Sequence, residues 1–85
     1  SMITETEKKA IKNILGHRYA DKVLKVLADQ KSMSADGTPF SRNMIHQVIT
    51  GNRSHAVIES AIVKATELQK AENKAAENKK QELLS

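Results

Sequence analysis

The sequence predicts an all-α protein: a small bundle of four helices, the fourth running on as a long, charged C-terminal helix. Three observations lead there. Apolar residues recur at i, i+3 and i+4 in four separate stretches. Residues that start or stop helices, chiefly Thr, Ser and Gly, bound these stretches. Aromatic residues are confined to Tyr19 and Phe40, so the core has to be built from Ile, Leu, Val and Ala. A chain of 85 residues allows one small domain. A core of that size is thin for a lone domain, which makes self-association an expectation.

The first helix opens on Thr4-Glu5-Thr6-Glu7, a capping box with Thr4 as N-cap and Glu7 three positions on. Ala10, Ile11, Ile14 and Leu15 follow at helical spacing, and Gly16 is suited to end the helix in a left-handed conformation. A second helix is expected from about Ala20 to Gln30, with Tyr19, Val23, Leu24, Val26 and Leu27 on its buried side and Asp21, Lys22, Lys25 and Asp29 outside. Residues 31–40 break the pattern. Asp36-Gly37 is a turn signal and Pro39 drives Thr38 toward extended geometry. A short β-hairpin that sets Met33 against Phe40 and a plain loop both fit this stretch.

Ser41 then caps a third helix that Gly51 ends. The fourth begins near Ser54, and Val57, Ile58, Ala61, Ile62, Ala65 and Leu68 are expected to be buried. Past Leu68 the apolar face fades into Ala-Glu-Asn-Lys, repeated at 71–74 and 76–79. Lys and Glu land on every candidate heptad seam, so residues 69–85 read as a solvated helical extension of a domain that spans 1–68. Leu83 and Leu84 give that extension a hook for a second protomer or a neighbouring domain.

Net charge is +4, and its placement matters more than its size. Residues 1–53 carry nine Lys and Arg against five Asp and Glu, whereas residues 54–85 carry five of each. The excess therefore lies ahead of the fourth helix, with the candidate reading head and not with the tail, which suits a nucleic-acid partner. The absence of cysteine excludes disulfides and thiolate metal sites and fits a reducing cytoplasm. No apolar run resembles a signal peptide or a membrane span. His17, His46 and His55 lack the spacing that puts two imidazoles on one helix face, so no metal is expected. The serines have no base and acid in plausible order, and no glycine-rich phosphate loop is present, so an enzyme, a cofactor and a small-molecule ligand are not expected either.

The third helix carries the functional signal. Wound at 3.6 residues per turn, Arg42, Asn43, His46, Gln47 and Thr50 fall within an arc of roughly 140°, and Met44, Ile45, Val48 and Ile49 occupy the opposite side. Arg, Asn and Gln are the side chains that bond base edges bidentately in the major groove. Between Asp36 and Glu59 the chain has no acidic residue, as a surface facing phosphate requires. Arg42, Asn43, His46 and Gln47 are accordingly the candidate base readers.

Residues 41–68 resemble the second half of a lambda-repressor/Cro-type helix-turn-helix domain, the small kind found in phage and mobile elements. In that family a Ser starts the recognition helix, an Ile and a later aliphatic residue anchor it, and a Gly ends it; Ser41, Ile45, Val48 and Gly51 take those places. The resemblance implies base contacts from Arg42, Asn43 and Gln47, and phosphate contacts just past the glycine, from Asn52, Arg53 and Ser54. Arg18, Ser41 and Thr50 complete the candidate phosphate set. The family's tight turn is replaced here by the ten-residue connection Lys31–Phe40. Entering the recognition helix by a Gly-x-Pro/Trp-Ser step after a longer hairpin is also similar to the C-terminal DNA-binding segments of serine recombinases, and the Asp-Gly-x-Pro-aromatic-Ser step at residues 36–41 resembles that of small repressor-like proteins of Bacteroidetes and their phages. The expected function is a sequence-specific double-stranded DNA-binding regulator, repressor-like, dimeric on a palindromic site and located in the cytoplasm at the nucleoid. Two alternatives stay open: a protein-interaction module on the same fold, of antitoxin or phage-accessory type, and an architectural DNA-binding protein with little sequence preference.

Overall fold

The computed structural model describes residues 3–33 and 37–84. The described residues form four helices: α1 (Glu5–Leu15), α2 (Tyr19–Asp29), α3 (Arg42–Ile49) and α4 (Ala56–Leu84). No strand occurs among the described residues, and no described helix is long and apolar enough to cross a membrane. The expected turn residue Asp36 lies outside the described part of the connection. Phe40, at the end of that connection, does not face Met33 across a ribbon. It is buried in the core, with its ring edge-on to His55 at 5.3 Å between centroids, whereas Met33 is 52% exposed.

Local chemistry sets the helix ends. The Thr4 hydroxyl accepts from the Glu7 amide at 3.2 Å, and the Glu7 carboxylate accepts from the Thr4 amide at 3.1 Å. That backbone hydrogen bond, with the Thr4 hydroxyl, holds the Glu7 carboxyl below the usual carboxylate range. Gly16 closes α1 at φ 78, ψ −158, so the positive φ is as expected but ψ lies outside the left-handed helical region. α2 ends in a Schellman motif: the Ser32 amide reaches Leu27 O and the Lys31 amide reaches Ala28 O. The positive-φ position of that motif is a lysine, Lys31, at φ 57. α3 begins on Ser41, whose hydroxyl accepts from the Met44 amide, and ends in a second Schellman motif through Gly51, at φ 81.

The core gathers one face from each helix: Leu15 of α1, Val23, Val26 and Leu27 of α2, Ile45, Val48 and Ile49 of α3, and Ile58, Ala61, Ile62 and Ala65 of α4, with Phe40 from the connection. α4 packs against the other three helices, and α3 is held between α2 and α4. Each fully buried Leu, Ile or Val contributes about 1.5–3 kcal/mol of transfer free energy.

Two expected core positions are corrected. Val57 is 43% and Leu68 50% exposed, and Thr66 is buried in their stead. The buried face of α4 is therefore rotated away from Val57 and Leu68 toward Thr66. A threonine is tolerated there because its hydroxyl donates to Ile62 O at 2.7 Å, leaving the methyl group to pack. The helix starts at Ala56, two residues later than expected, with His55 as its cap: the His55 ring Nδ1 accepts from the Ile58 amide, and the Glu59 carboxylate accepts from the His55 amide. Past Gln69 every described residue of α4 is exposed. Among the described residues nothing packs over its last four turns, and the molecule extends 52 Å along its longest axis.

Candidate nucleic-acid interface

α3 is short, and its inner side is fully committed: Ile45, Val48 and Ile49 are each 0% exposed. That burial fixes the rotation of the helix and sends Arg42, Asn43 and His46 to the surface, with Gln47 half-buried at the edge. The Schellman closure adds a second constraint. Gln47 O accepts from both the Asn52 amide at 3.0 Å and the Arg53 amide at 3.2 Å, so the chain folds back beside the helix end and holds exposed Asn52 and Arg53 next to it. Gly51 is required twice over at this turn. It has a positive φ, and a Cβ there would sit 3.0 Å from the backbone oxygen of Ile3.

At the other end of α3 the fold brings in a residue from far away in sequence. Arg18 precedes α2, and with His17, Asp21 and Arg42 it lines an open depression. Arg18, the N-cap residue of α2, makes no side-chain cap hydrogen bond to that helix. Two guanidinium groups, one expected on phosphate and one on bases, thus lie at one edge of the surface.

The expectation of a surface free of acid holds along the chain but not in space. Asp21 lies 2.7 Å from the Arg42 guanidinium, in an ion pair whose side chains are 42% and 73% exposed. The distance in sequence between these two residues hides the contact. An exposed pair of this kind contributes at most about 1 kcal/mol, so it orients Arg42 more than it neutralises it. His46 is likewise engaged: its Nδ1 lies 2.6 Å from the Tyr19 hydroxyl of α2, the rings stack at 6.3 Å, and the Lys12 ammonium stands 5.5 Å from the Tyr19 ring centre. Only Nε2 of His46 is left to face outward.

The hydroxyl-bearing candidates are mostly occupied within the fold. Ser41 caps α3, Thr50 donates to His46 O and Gln47 O, and Ser54 donates to the Glu59 carboxylate at 3.3 Å. The nearby Glu59 carboxylate makes Ser54 the least favourable phosphate position of the set. Among the described residues, the side chains of Asn43, Gln47, Asn52, Arg53 and Arg18 make no such internal hydrogen bond. Sequence reading missed Asp21 and Tyr19 as neighbours of this surface, because each pairs across two helices and neither has a partner at helical spacing. His17, also missed, follows from Arg18 once the depression is seen. Compared with known protein families, with curated proteins and with solved structures, the chain finds no match.

Proposed function

We propose that this protein is a sequence-specific double-stranded DNA-binding protein, a repressor-like transcriptional regulator of the phage or mobile-element type, acting in the cytoplasm as a dimer on a palindromic site. One observation carries the reading. α3 buries three aliphatic side chains completely and turns Arg42, Asn43 and Gln47 to one side, with Arg18 at one end and Asn52 and Arg53 at the other. A helix dressed this way reads base edges along its length and grips phosphates at both ends. The resemblance of residues 41–68 to the lambda-repressor/Cro type supports the same docking, with α2 ahead of α3 across the backbone.

A protein-interaction module remains the second reading, favoured by the Asp21–Arg42 pair, which satisfies within the protein a group that a base reader would present free. Selection of binding sites from a random duplex pool tests both. The proposal expects enrichment of one short motif, bound at least about a thousandfold more tightly than random duplex at moderate salt. Absence of duplex binding even at low salt contradicts it and leaves the interaction module. Salt-sensitive binding without a motif identifies the architectural alternative.

A further inference from the structure

The face of α4 that α2 covers does not stop where α2 stops. At roughly 100° per residue, Leu68, Glu72, Ala75, Ala76, Lys79 and Leu83 form a single stripe about 100° wide, on the side of the helix that carries Ala61 and Ala65 into the core. Every residue of the stripe is exposed, Leu68 by 50% and Leu83 by 78%. At its inner end the stripe opens into a depression between α2 and α4, lined by Lys25, Val26, Asp29, Ala65, Leu68 and Glu72.

The stripe reads the same from both ends, with the charges exchanged: Leu, Glu, Ala, Ala, Lys, Leu. We propose that it is the interface with a second copy of this chain, the two α4 extensions lying antiparallel about a twofold axis between Ala75 and Ala76. In that register Leu68 of each protomer meets Leu83 of the other, Glu72 meets Lys79, and Ala75 meets Ala76. The paired alanines let the two helices approach closely at the centre. Leu83 arrives level with the depression between α2 and α4, where Val26 and Ala65 supply apolar wall. A parallel pairing sets Glu72 against Glu72 and Lys79 against Lys79, so the charges choose the direction. The lysine and glutamate that spoil a conventional heptad seam become complementary when one helix is reversed. This inference does not depend on what α3 binds.

Sedimentation equilibrium on the full chain tests it through charge reversal. Glu72→Lys alone and Lys79→Glu alone each set like charges against each other at both symmetry-related contacts and weaken self-association at least about tenfold. The double variant Glu72→Lys with Lys79→Glu restores it. Direction is tested by cross-linking, since the chain has no cysteine of its own. A mixture of Leu68→Cys and Leu83→Cys proteins forms a disulfide-linked dimer under mild oxidation, whereas Leu68→Cys alone does not, its two copies lying roughly 22 Å apart along the helix. Circular dichroism checks that every variant stays helical. The proposal is overturned by a wild-type chain that stays monomeric to millimolar concentration, by single reversals that leave association unchanged, by a double variant that stays weak, or by efficient cross-linking of Leu68→Cys with itself.

Discussion

α3 and the part of α4 beyond Gln69 are both helical and both rich in polar side chains, but they are held by different forces. α3 is eight residues long, too short to persist alone in water, and exists because Ile45, Val48 and Ile49 are buried between α2 and α4 and because Ser41 and Gly51 fix its ends. The α4 extension has no buried residue at all. It stands on alanine-rich helix propensity, on side-chain bonds one turn apart such as Gln69 to Asn73 at 2.9 Å, and on continuity with the packed half of its own helix. A helix fixed by tertiary burial presents its outer side chains in one orientation. A helix fixed only locally presents a surface whose order depends on what covers it. The first suits base reading, where a rotation of a few tens of degrees would spoil every contact; the second suits association.

The largest expected contrast follows directly. Ile45→Asp places an unpaired carboxylate in an aliphatic core, at a cost of several kcal/mol against a total stability of about 5 kcal/mol, and should abolish the cooperative melt. Leu84→Asp, on the exposed end of α4 and outside the antiparallel stripe, should change stability by less than about 0.5 kcal/mol. Thermal circular dichroism of the two variants decides it; an Ile45→Asp protein with wild-type melting would mean that α3 is rotated on its scaffold.

Gly51→Ala probes the closure of α3. It meets both a left-handed backbone and the Ile3 oxygen, so about 2 kcal/mol of destabilisation is expected, a fall of roughly 10 °C in Tm. Gly37→Ala meets the same strain at φ 82 but open space, and should cost about half as much. Equal costs would show that the approach of Ile3 to α3 contributes nothing.

Smaller again, and opposite in sign, is Lys31→Gly. Lys31 occupies the positive-φ position that closes α2, and glycine relieves that strain, so a gain of up to about 1 kcal/mol is expected in chemical denaturation. A loss would indicate that the lysine side chain stabilises the start of the connection.

The parts of this architecture that sequence made legible are those written at short range. Thr4 with Glu7, Ser41 with Met44, and Gly51 after Ile49 are local signals, and the i, i+3, i+4 pattern identified Ile45, Val48, Ile58, Ala61, Ile62 and Ala65 as core. What stayed hidden depends on other helices. The exchange of Val57 and Leu68 for Thr66 reflects where α1, α2 and α3 happen to press on α4, and a threonine that satisfies its own hydroxyl gives no hydrophobic signal. Lys31 is an unusual closing residue and does not announce a helix end. The candidate surface was legible as one side of α3, but its edges were not: Asp21 beside Arg42 and Tyr19 against His46 are made by the packing of α2 on α3. Reading charge along the chain missed an acid that folding placed within hydrogen-bonding distance.

Whether α3 reads sequence is tested most directly by comparing Gln47→Ala with Arg53→Ala, each titrated against the selected duplex and a random duplex over a range of salt. Gln47→Ala should cost about 1–3 kcal/mol on the selected duplex, leave random binding unchanged and relax preference at one or two base pairs. Arg53→Ala should weaken both duplexes alike and flatten the salt dependence by about one ion. Uniform weakening by Gln47→Ala with preference intact, together with an unchanged salt slope for Arg53→Ala, would contradict the assignment of this face to DNA.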